Sequence, residues 1–216
     1  MSYHGAVKVG GTPDVRELPH LVITKVAVGP MDNNAYLLRC RATDVQVLID
    51  AAADAPVLLE TVGHSLATVV TTHRHRDHWD ALADVVRATG ARTATGRLDA
   101  EGIAVPADLL LDDGDTVRVG DVSLTVRHLV GHTPGAIVLL YDDPQGHPHL
   151  FTGDCLFPGG PGRTTSPADF ASLMNGLEEK VFGPLPDETW VYPGHGNDTT
   201  LGAERPHLAE WRSRGW

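Results

Sequence analysis

Apolar residues in the first half of the chain fall into two spacings. HLVITKVAVG (20–29), NAYLLRC (34–40) and DVQVLID (44–50) are alternating or β-branched runs bounded by turn residues, and each predicts a strand. In DAPVLLETVG (54–63) the spacing becomes helical: Leu58, Leu59 and Val62 form a stripe, Pro56 falls in the first turn and Gly63 at the end. Asp54 is expected to cap that helix. LATVVTTH (66–73) predicts a buried strand. DHWDALADVVRATG (77–90) then predicts a helix with Trp79, Leu82, Val85 and Val86 on one face and Gly90 as its stop.

The second half repeats the pattern. DTVRVG (115–120) and DVSLTVRHLV (121–130) predict a hairpin, and GAIVLLYDD (135–143) and HLFTGD (149–154) predict further strands. SPADFASLMNGLEEKVF (166–182) is the clearest helix. Ser166 and Asp169 pair in the manner of a capping box, Pro167 takes the first helical position, and Phe170, Leu173, Met174, Leu177 and Val181 share a face. ETWVYPGHG (188–196) predicts a last strand that runs into a glycine turn. No repeat or low-complexity linker divides the chain, so residues 1–216 are expected to form one α/β sandwich domain.

Composition narrows the partners. With 42% apolar and 21% charged residues the chain has ordinary globular balance, and its length allows roughly 70% of the unfolded surface to be buried without staples. A formal charge of −11 argues against a nucleic-acid partner, which calls for a basic face. No apolar run is long enough for a membrane span, and the first residues lack the basic and apolar regions of a signal peptide, so a cytoplasmic protein is expected. Cys40 and Cys155 make neither a C-x-x-C pair nor a disulfide framework. Nothing in the chain fixes an oligomeric state.

The candidate chemistry is concentrated in TTHRHRDHWDA (71–81). His73 and His75 stand two apart at a strand end, where alternation lets both imidazoles converge while Arg74 turns away. Asp77 and His78 follow where the chain bends into a helix and can face the same point from a second direction; the direction of Arg76 is left open. Three other strand ends run into glycine-flanked turns with a ligand-capable side chain: His132 in VGHTPGA, Asp154 in FTGDCLF and His195 in YPGHGND. Five histidines and two carboxylates exceed one tetrahedral ion and suit two, with three ligands each and one shared. His64, His128 and His207 are isolated. The HPH triplet (147–149) has the spacing but no following Asp-His, so these histidines are expected outside any such site.

THRHRDH, GHTPG, FTGD and PGHG, in this order, resemble the metallo-β-lactamase superfamily of αββα hydrolases, over a span from MDNNAYLL to YPGHGNDTT. The resemblance implies a four-layer αββα sandwich. It assigns His73, His75 and His132 to a first metal site, Asp77, His78 and His195 to a second, and Asp154 to a bridge between them. Asp50 in LID would stand behind a ligand histidine and fix its tautomer. Many metallo-β-lactamases carry a cysteine ligand at position 154; here Cys155, next in the chain, is expected to face away as a packed thiol. The nitrogen and oxygen donors would hold two divalent ions, zinc in the first instance, with iron or manganese also suited.

FTGDCLFPGGPGRT and PGHGNDTT most resemble the short glyoxalase II-like hydrolases, which implies hydrolysis of a small-molecule S-acyl thiol. A thiol leaving group of pKa ~8.5 departs as thiolate with little acid help. Two ions roughly 3.5–4 Å apart would bring the pKa of water to about 7. His73, His75, His132 and Asp154 would act through the ions, with Asp77 a candidate proton relay. About twenty residues follow His195, too few for the helical region that holds glutathione in longer hydroxyacylglutathione hydrolases, so the thiol carrier is open. PGGPGRT (158–164) lacks the ending of a phosphate loop and is expected to border the site, with Arg163 either ion-paired within the fold or meeting an anionic substrate. Arg76 and Trp79 are placed at the pocket rim, one as a charge and one as an apolar wall. The rival activities are a persulfide dioxygenase with one iron on His73, His132 and Asp154, and a lactonase with the same ligands and a different pocket.

Overall fold

The computed structural model describes residues 3–215; Met1, Ser2 and Trp216, at the ends of the expected domain, lie outside the described residues. The first sheet has seven strands in chain order: β1 (Asp14–Glu17), β2 (Leu21–Val28), β3 (Asn33–Cys40), β4 (Gln46–Ile49), β5 (Leu66–Thr71), β6 (Arg92–Gly96) and β7 (Leu109–Leu111). Pairing is antiparallel from β1 to β4 and parallel from β4 to β7. Parallel neighbours need crossovers, and α1 (Ala55–Val62) and α2 (Leu82–Thr89) supply two of them. The second sheet contains β8 (Thr116–Val119), β9 (Val122–His128), β10 (Ile137–Tyr141) and β11 (His149–Gly153). After a separate hairpin of β12 (Leu156–Phe157) and β13 (Gly160–Pro161), it is completed by β14 (Trp190–Pro193) and β15 (Thr199–Thr200). Its order in space is β15-β14-β11-β10-β9-β8, with β11 and β14 parallel.

Alternation decides what each face packs against. Leu21 and Ile23 of β2, Tyr36 and Leu38 of β3, and Val47 and Ile49 of β4 point between the sheets. They meet Leu124, Val126, Ile137, Leu139, Phe151 and Tyr192 of the second sheet. The opposite face of the first sheet, including Val26, Leu37, Leu48 and Val69, is covered by Leu58, Leu82 and Val85 of α1 and α2. Val138, Leu140, Leu150 and Val191 lie under α3 (Pro167–Leu177) and a last helix (Leu208–Arg214), whose Phe170, Leu173, Leu177 and Trp211 are buried there. The layers are αββα, as the resemblance implied.

Four local expectations change. Asp54 does not cap α1: its backbone is left-handed (φ 51°) and its carboxylate accepts from Gly29 N at 2.8 Å, tying the β2–β3 turn to the helix start. The expected helix over 77–90 is a 3-10 turn, Arg76–His78, followed by α2 from Leu82. Trp79 therefore sits between two elements, half-buried against the α1/α2 core. Ser166 caps α3 as expected, its Oγ accepting from Asp169 N, but from Glu178 to Phe182 the chain widens to π-helical bonding. Two strands at one edge of the first sheet, β6 and β7, arise from a stretch to which the sequence pattern assigned nothing. RTATG has almost no bulky apolar side chain, and its strand state comes from pairing with β5.

The parallel strands β4, β5 and β6, and likewise β11 and β14, end at the same rim, where open α/β sheets place their ligands. The two sheets meet there through backbone: Ile137 N donates to Thr72 O (3.0 Å) and Asn34 N to Gly194 O (2.7 Å). Gly96 lies against the loop before β10 so closely that a Cβ would stand 2.0 Å from Gly135 O. Gly96→Ala should therefore force the sheets apart at the rim and cost about 1–3 kcal/mol, read as a lower midpoint in urea unfolding. An unchanged midpoint would mean that this contact is slack.

Candidate metal centre

His73 and His75 converge, but not by strand alternation. β5 ends at Thr71 and residues 72–75 form a bend. The bend is pinned on both sides of His73. Thr72 N and Oγ1 each donate to the Asp50 carboxylate at 2.8 Å, and Arg74 N donates to Asp99 Oδ2 at 3.0 Å. Arg74 turns away, its stem over Gly102 and its Nε 3.9 Å from Asp99 Oδ1. The 3-10 turn then points Asp77 and His78 inward.

His132 arrives on the β9–β10 loop, which Asp99 also holds, accepting from Thr133 Oγ1 (2.5 Å) and Gly135 N (2.9 Å). Asp154 follows the end of β11. His195 follows β14 and forms a bridge with Asn33, whose Nδ2 donates to Asp77 Oδ2 at 2.9 Å. Position 194 must be glycine, since a Cβ there would come within 2.3 Å of Asp154 Oδ1 and 2.7 Å of His78 Cε1.

The structure brings all seven expected side chains together, in three overlapping groups whose donor atoms lie within 4.8 Å of one another: His73/His75/His132, His73/His78/Asp154 and Asp77/His78/His195. The outer ring nitrogens fix the tautomers. His78 Nδ1 donates to Asp50 Oδ2 (2.8 Å), His132 Nδ1 to Arg163 O (2.7 Å) and His195 Nδ1 to Met31 O (3.0 Å). Thr72 Oγ1 spends its proton on Asp50 and so accepts from His73 Nδ1 (3.1 Å). Four Nε2 atoms thus face inward. His73 Nε2 lies 3.0 Å from His75 Nδ1 and 3.2 Å from His132 Nε2. Two ligands of one tetrahedral zinc must stand about 3.3 Å apart, so these spacings fit a shared cation.

Asp154 lies between the groups, its Oδ2 3.6 Å from both His132 Nε2 and His195 Nε2. Its Oδ1 is buried and has no hydrogen-bond partner, although His78 Nε2 is 3.3 Å away. A buried carboxylate oxygen left unpaired is costly, and a cation would satisfy it. The donor set therefore fits divalent metal.

The electrostatics divide along the same line. Burial pushes His73 below the usual imidazole range, and partial cover of the otherwise exposed His75 ring does the same, with the neighbouring imidazoles adding to both. Burial acts the same way on His78, but the Asp154 and Asp50 carboxylates outweigh it and hold that ring well above its ordinary value. For His195 burial is likewise overcome, by hydrogen bonds to Asp154 and Asp77, and its pKa is raised to about 10. The hydrogen bond from His195 holds Asp77 low despite partial burial. Burial would raise Asp154, and the facing His78 and His195 reverse that.

The three pocket residues are not gathered in. Arg76 is 79% exposed and its Nε is paired with Asp80 Oδ1 at 2.8 Å. Trp79 Nε1 donates to Arg74 O (2.9 Å). Arg163 is exposed, and what it contributes to the cluster is its main-chain carbonyl. His147 and His149 lie elsewhere; the buried His149 bonds to Tyr192 OH through Nδ1 (2.8 Å). Three supporting residues had no signal in the sequence: Asp99, Asn33 and Thr72.

Residues 28–195 match the model of the metallo-beta-lactamase superfamily. The chain is 36% identical over 168 residues to the hydroxyacylglutathione hydrolase of Fuscovulum blasticum, covering 76% of this chain and 62% of that protein. It is also 36% identical over 168 residues to the mitochondrial persulfide dioxygenase ETHE1 of Homo sapiens, covering 74% and 62%. The chain thus spans less than two thirds of the length of both relatives. The solved structure of TTHA1623 in a di-iron-bound form shares 32% identity at a TM-score of 0.66, covering 84% of this chain and 96% of that one.

Cation binding must displace any proton from the inward nitrogens of His78 and His195, and the carboxylates around both rings favour the protonated form. Because both pKa values are raised, loading the metal-free protein at pH 7 should release protons, fewer as the pH approaches 10. Calorimetric titration in buffers of different ionisation enthalpy reads the number released. A value of zero would contradict the charge state derived above.

Proposed function

The chain belongs to the metallo-β-lactamase superfamily, and on that footing we propose that it is a two-metal hydrolase of small S-acyl thiols, working as one catalytic domain. The observation that carries this reading is the position of Asp154 Oδ2, equidistant at 3.6 Å from a histidine of each group. His73, His75 and His132 would hold one ion, Asp77, His78 and His195 the other, and Asp154 would join them. Zinc is the working choice, with iron or manganese accepted by the same donors.

Divalent cations held there supply Lewis acidity, bringing the pKa of water to roughly 7 and polarising a carbonyl oxygen. The chain's own residues do the rest. Asp50, Thr72, Arg163 O and Met31 O keep four imidazoles in the Nε2-facing tautomer, so no ring has to flip during turnover. Asp77, half-buried and hydrogen-bonded by Asn33, relays a proton between the site and solvent. His75 is exposed, which puts the side of the first group toward the entering acyl carbon. The Arg163 guanidinium, exposed on the loop whose carbonyl holds His132, would meet a carboxylate of the acyl or thiol portion. Arg76 is exposed and pairs with Asp80, so its charge would act only at the outer rim. A thioester suits this arrangement because its thiolate departs without a dedicated acid.

A persulfide dioxygenase is the second reading, favoured by the equal identity to the human enzyme of that name. The proximity of His73, His132 and Asp154 agrees with it, at 3.2 Å between the two Nε2 atoms and 3.6 Å from His132 to Asp154.

His73→Ala or Asp154→Ala should lose metal by elemental analysis and reduce hydrolysis of an S-lactoyl thiol to background. Asp50→Ala should cost less, about 10–100-fold in metal affinity or turnover. Near-normal turnover in either ligand variant would overturn the hydrolase assignment. Oxygen uptake with a thiol persulfide, together with iron in the purified protein, would move it to the second reading.

A further inference from the structure

A lysine lies inside the sandwich. Lys25 shares the inward face of β2 with Leu21 and Ile23, and neither its side chain nor that of Asp198 is accessible, at 0% and 1% exposure. All three of its protons are placed: Nζ donates to Asp198 Oδ1 (2.6 Å), Gly5 O (2.7 Å) and Gly196 O (2.7 Å). Asp198 is itself fully engaged, its Oδ2 accepting from Tyr3 OH (2.7 Å) and Trp190 Nε1 (2.8 Å).

Burying a charge pair seldom adds net stability over an apolar pair of the same shape, so its position needs another explanation. Gly196 adjoins His195, and Asp198 is three residues on. The same turn is gripped by β3: Asn34 Nδ2 donates to Pro193 O and Gly196 O, both at 2.9 Å, and Tyr36 OH to Pro193 O at 2.6 Å. The turn carrying His195 leaves the second sheet, yet its carbonyls are held by side chains of the first. Nothing comparable from Lys25 reaches His73, His75 or His132, whose loops Asp99 holds.

We infer that Lys25, paired with Asp198, is a positioning residue for His195 and sets the affinity of the Asp77/His78/His195 group for its cation while leaving the His73/His75/His132 group alone. The inference rests on the two-cation reading above.

Lys25→Met alone would strand a buried carboxylate and endanger folding. Lys25→Met combined with Asp198→Asn replaces the pair by neutral side chains of similar size and keeps an acceptor for Tyr3 and Trp190. Stepwise zinc titration of the metal-free proteins should show one step loosened about 10–100-fold in the double variant and the other unchanged. In the metal-free state, the imidazole nitrogen resonances of His195 should shift while those of His73 and His132 hold. Two unaltered binding steps with an unmoved His195 would overturn the inference. Equal weakening of both steps with a lowered unfolding midpoint would also overturn it, as a general structural role. If the wild-type protein takes up only one zinc ion, the two-cation reading falls, and the His195 resonances alone decide whether Lys25 positions that ring.

Discussion

Lone pairs that converge need positive charge between them, and the rim of this protein is organised around that requirement. His73 Nε2 stands 3.0 and 3.2 Å from two other ring nitrogens, and His78 Nε2 stands 3.3 Å from His195 Nε2. Such spacings persist only if the outward nitrogens are held from behind and a proton or metal ion serves the inward ones. The holding groups come from separate places: Asp50 at the end of β4, Thr72 after β5, and the carbonyls of Arg163 and Met31 in two surface loops. Parallel strands that end at one rim put these loops within reach of each other. In the second group the carboxylates of Asp154, Asp50 and Asp77 favour positive charge at the facing imidazoles, and the raised pKa values of His78 and His195 are the response.

How much of this was legible in the sequence depended on range. α3 was readable to the residue at its start, since Ser166, Pro167 and Asp169 lie within one turn and the cap needs nothing from elsewhere. β2, β3, β9 and β10 were readable because alternation with large side chains survives any context. β6 was not, because Arg-Thr-Ala-Thr-Gly becomes a strand only beside β5. The 77–90 stretch misled for a related reason. Its apolar spacing is helical from Leu82, but placing His78 Nδ1 on Asp50 requires a tight turn first, and Asp50 lies 28 residues away.

The ligands themselves were the most legible part, since histidine and aspartate in glycine turns at strand ends are unusual enough to stand out. Their supports were not. Asp99 binds Arg74 N, Thr133 Oγ1 and Gly135 N across separations of 25 to 36 residues, and nothing around it in GRLDAEG marks it. Lys25 reads as a polar break in an apolar strand, and only the second sheet reveals its partner. Arg76 shows the reverse case. Its i,i+4 spacing to Asp80 was visible in the sequence, and that exposed local pair, outside the grouped donors, is where the structure places it.

Asp154 and Cys155 together determine which ions the rim can serve. The chain leaves β11 with Asp154 turned between the two groups and Cys155 turned into the core beneath α3, where burial pushes its thiol well above the ordinary range. Cys40 is likewise committed to the core between the sheets. Among the described residues no sulfur joins the grouped donors, which are imidazole nitrogens and carboxylate oxygens throughout. Such a set gives no advantage to soft ions that prefer thiolate, and its raw affinity for divalent metals follows the usual order, weaker for manganese and iron than for zinc. Selection among them then falls to geometry and supply. Geometry here is set by how firmly Asp50, Asp99 and Lys25 hold three loops from behind, so residues that touch no metal decide how closely the donors can adapt to the size of one ion.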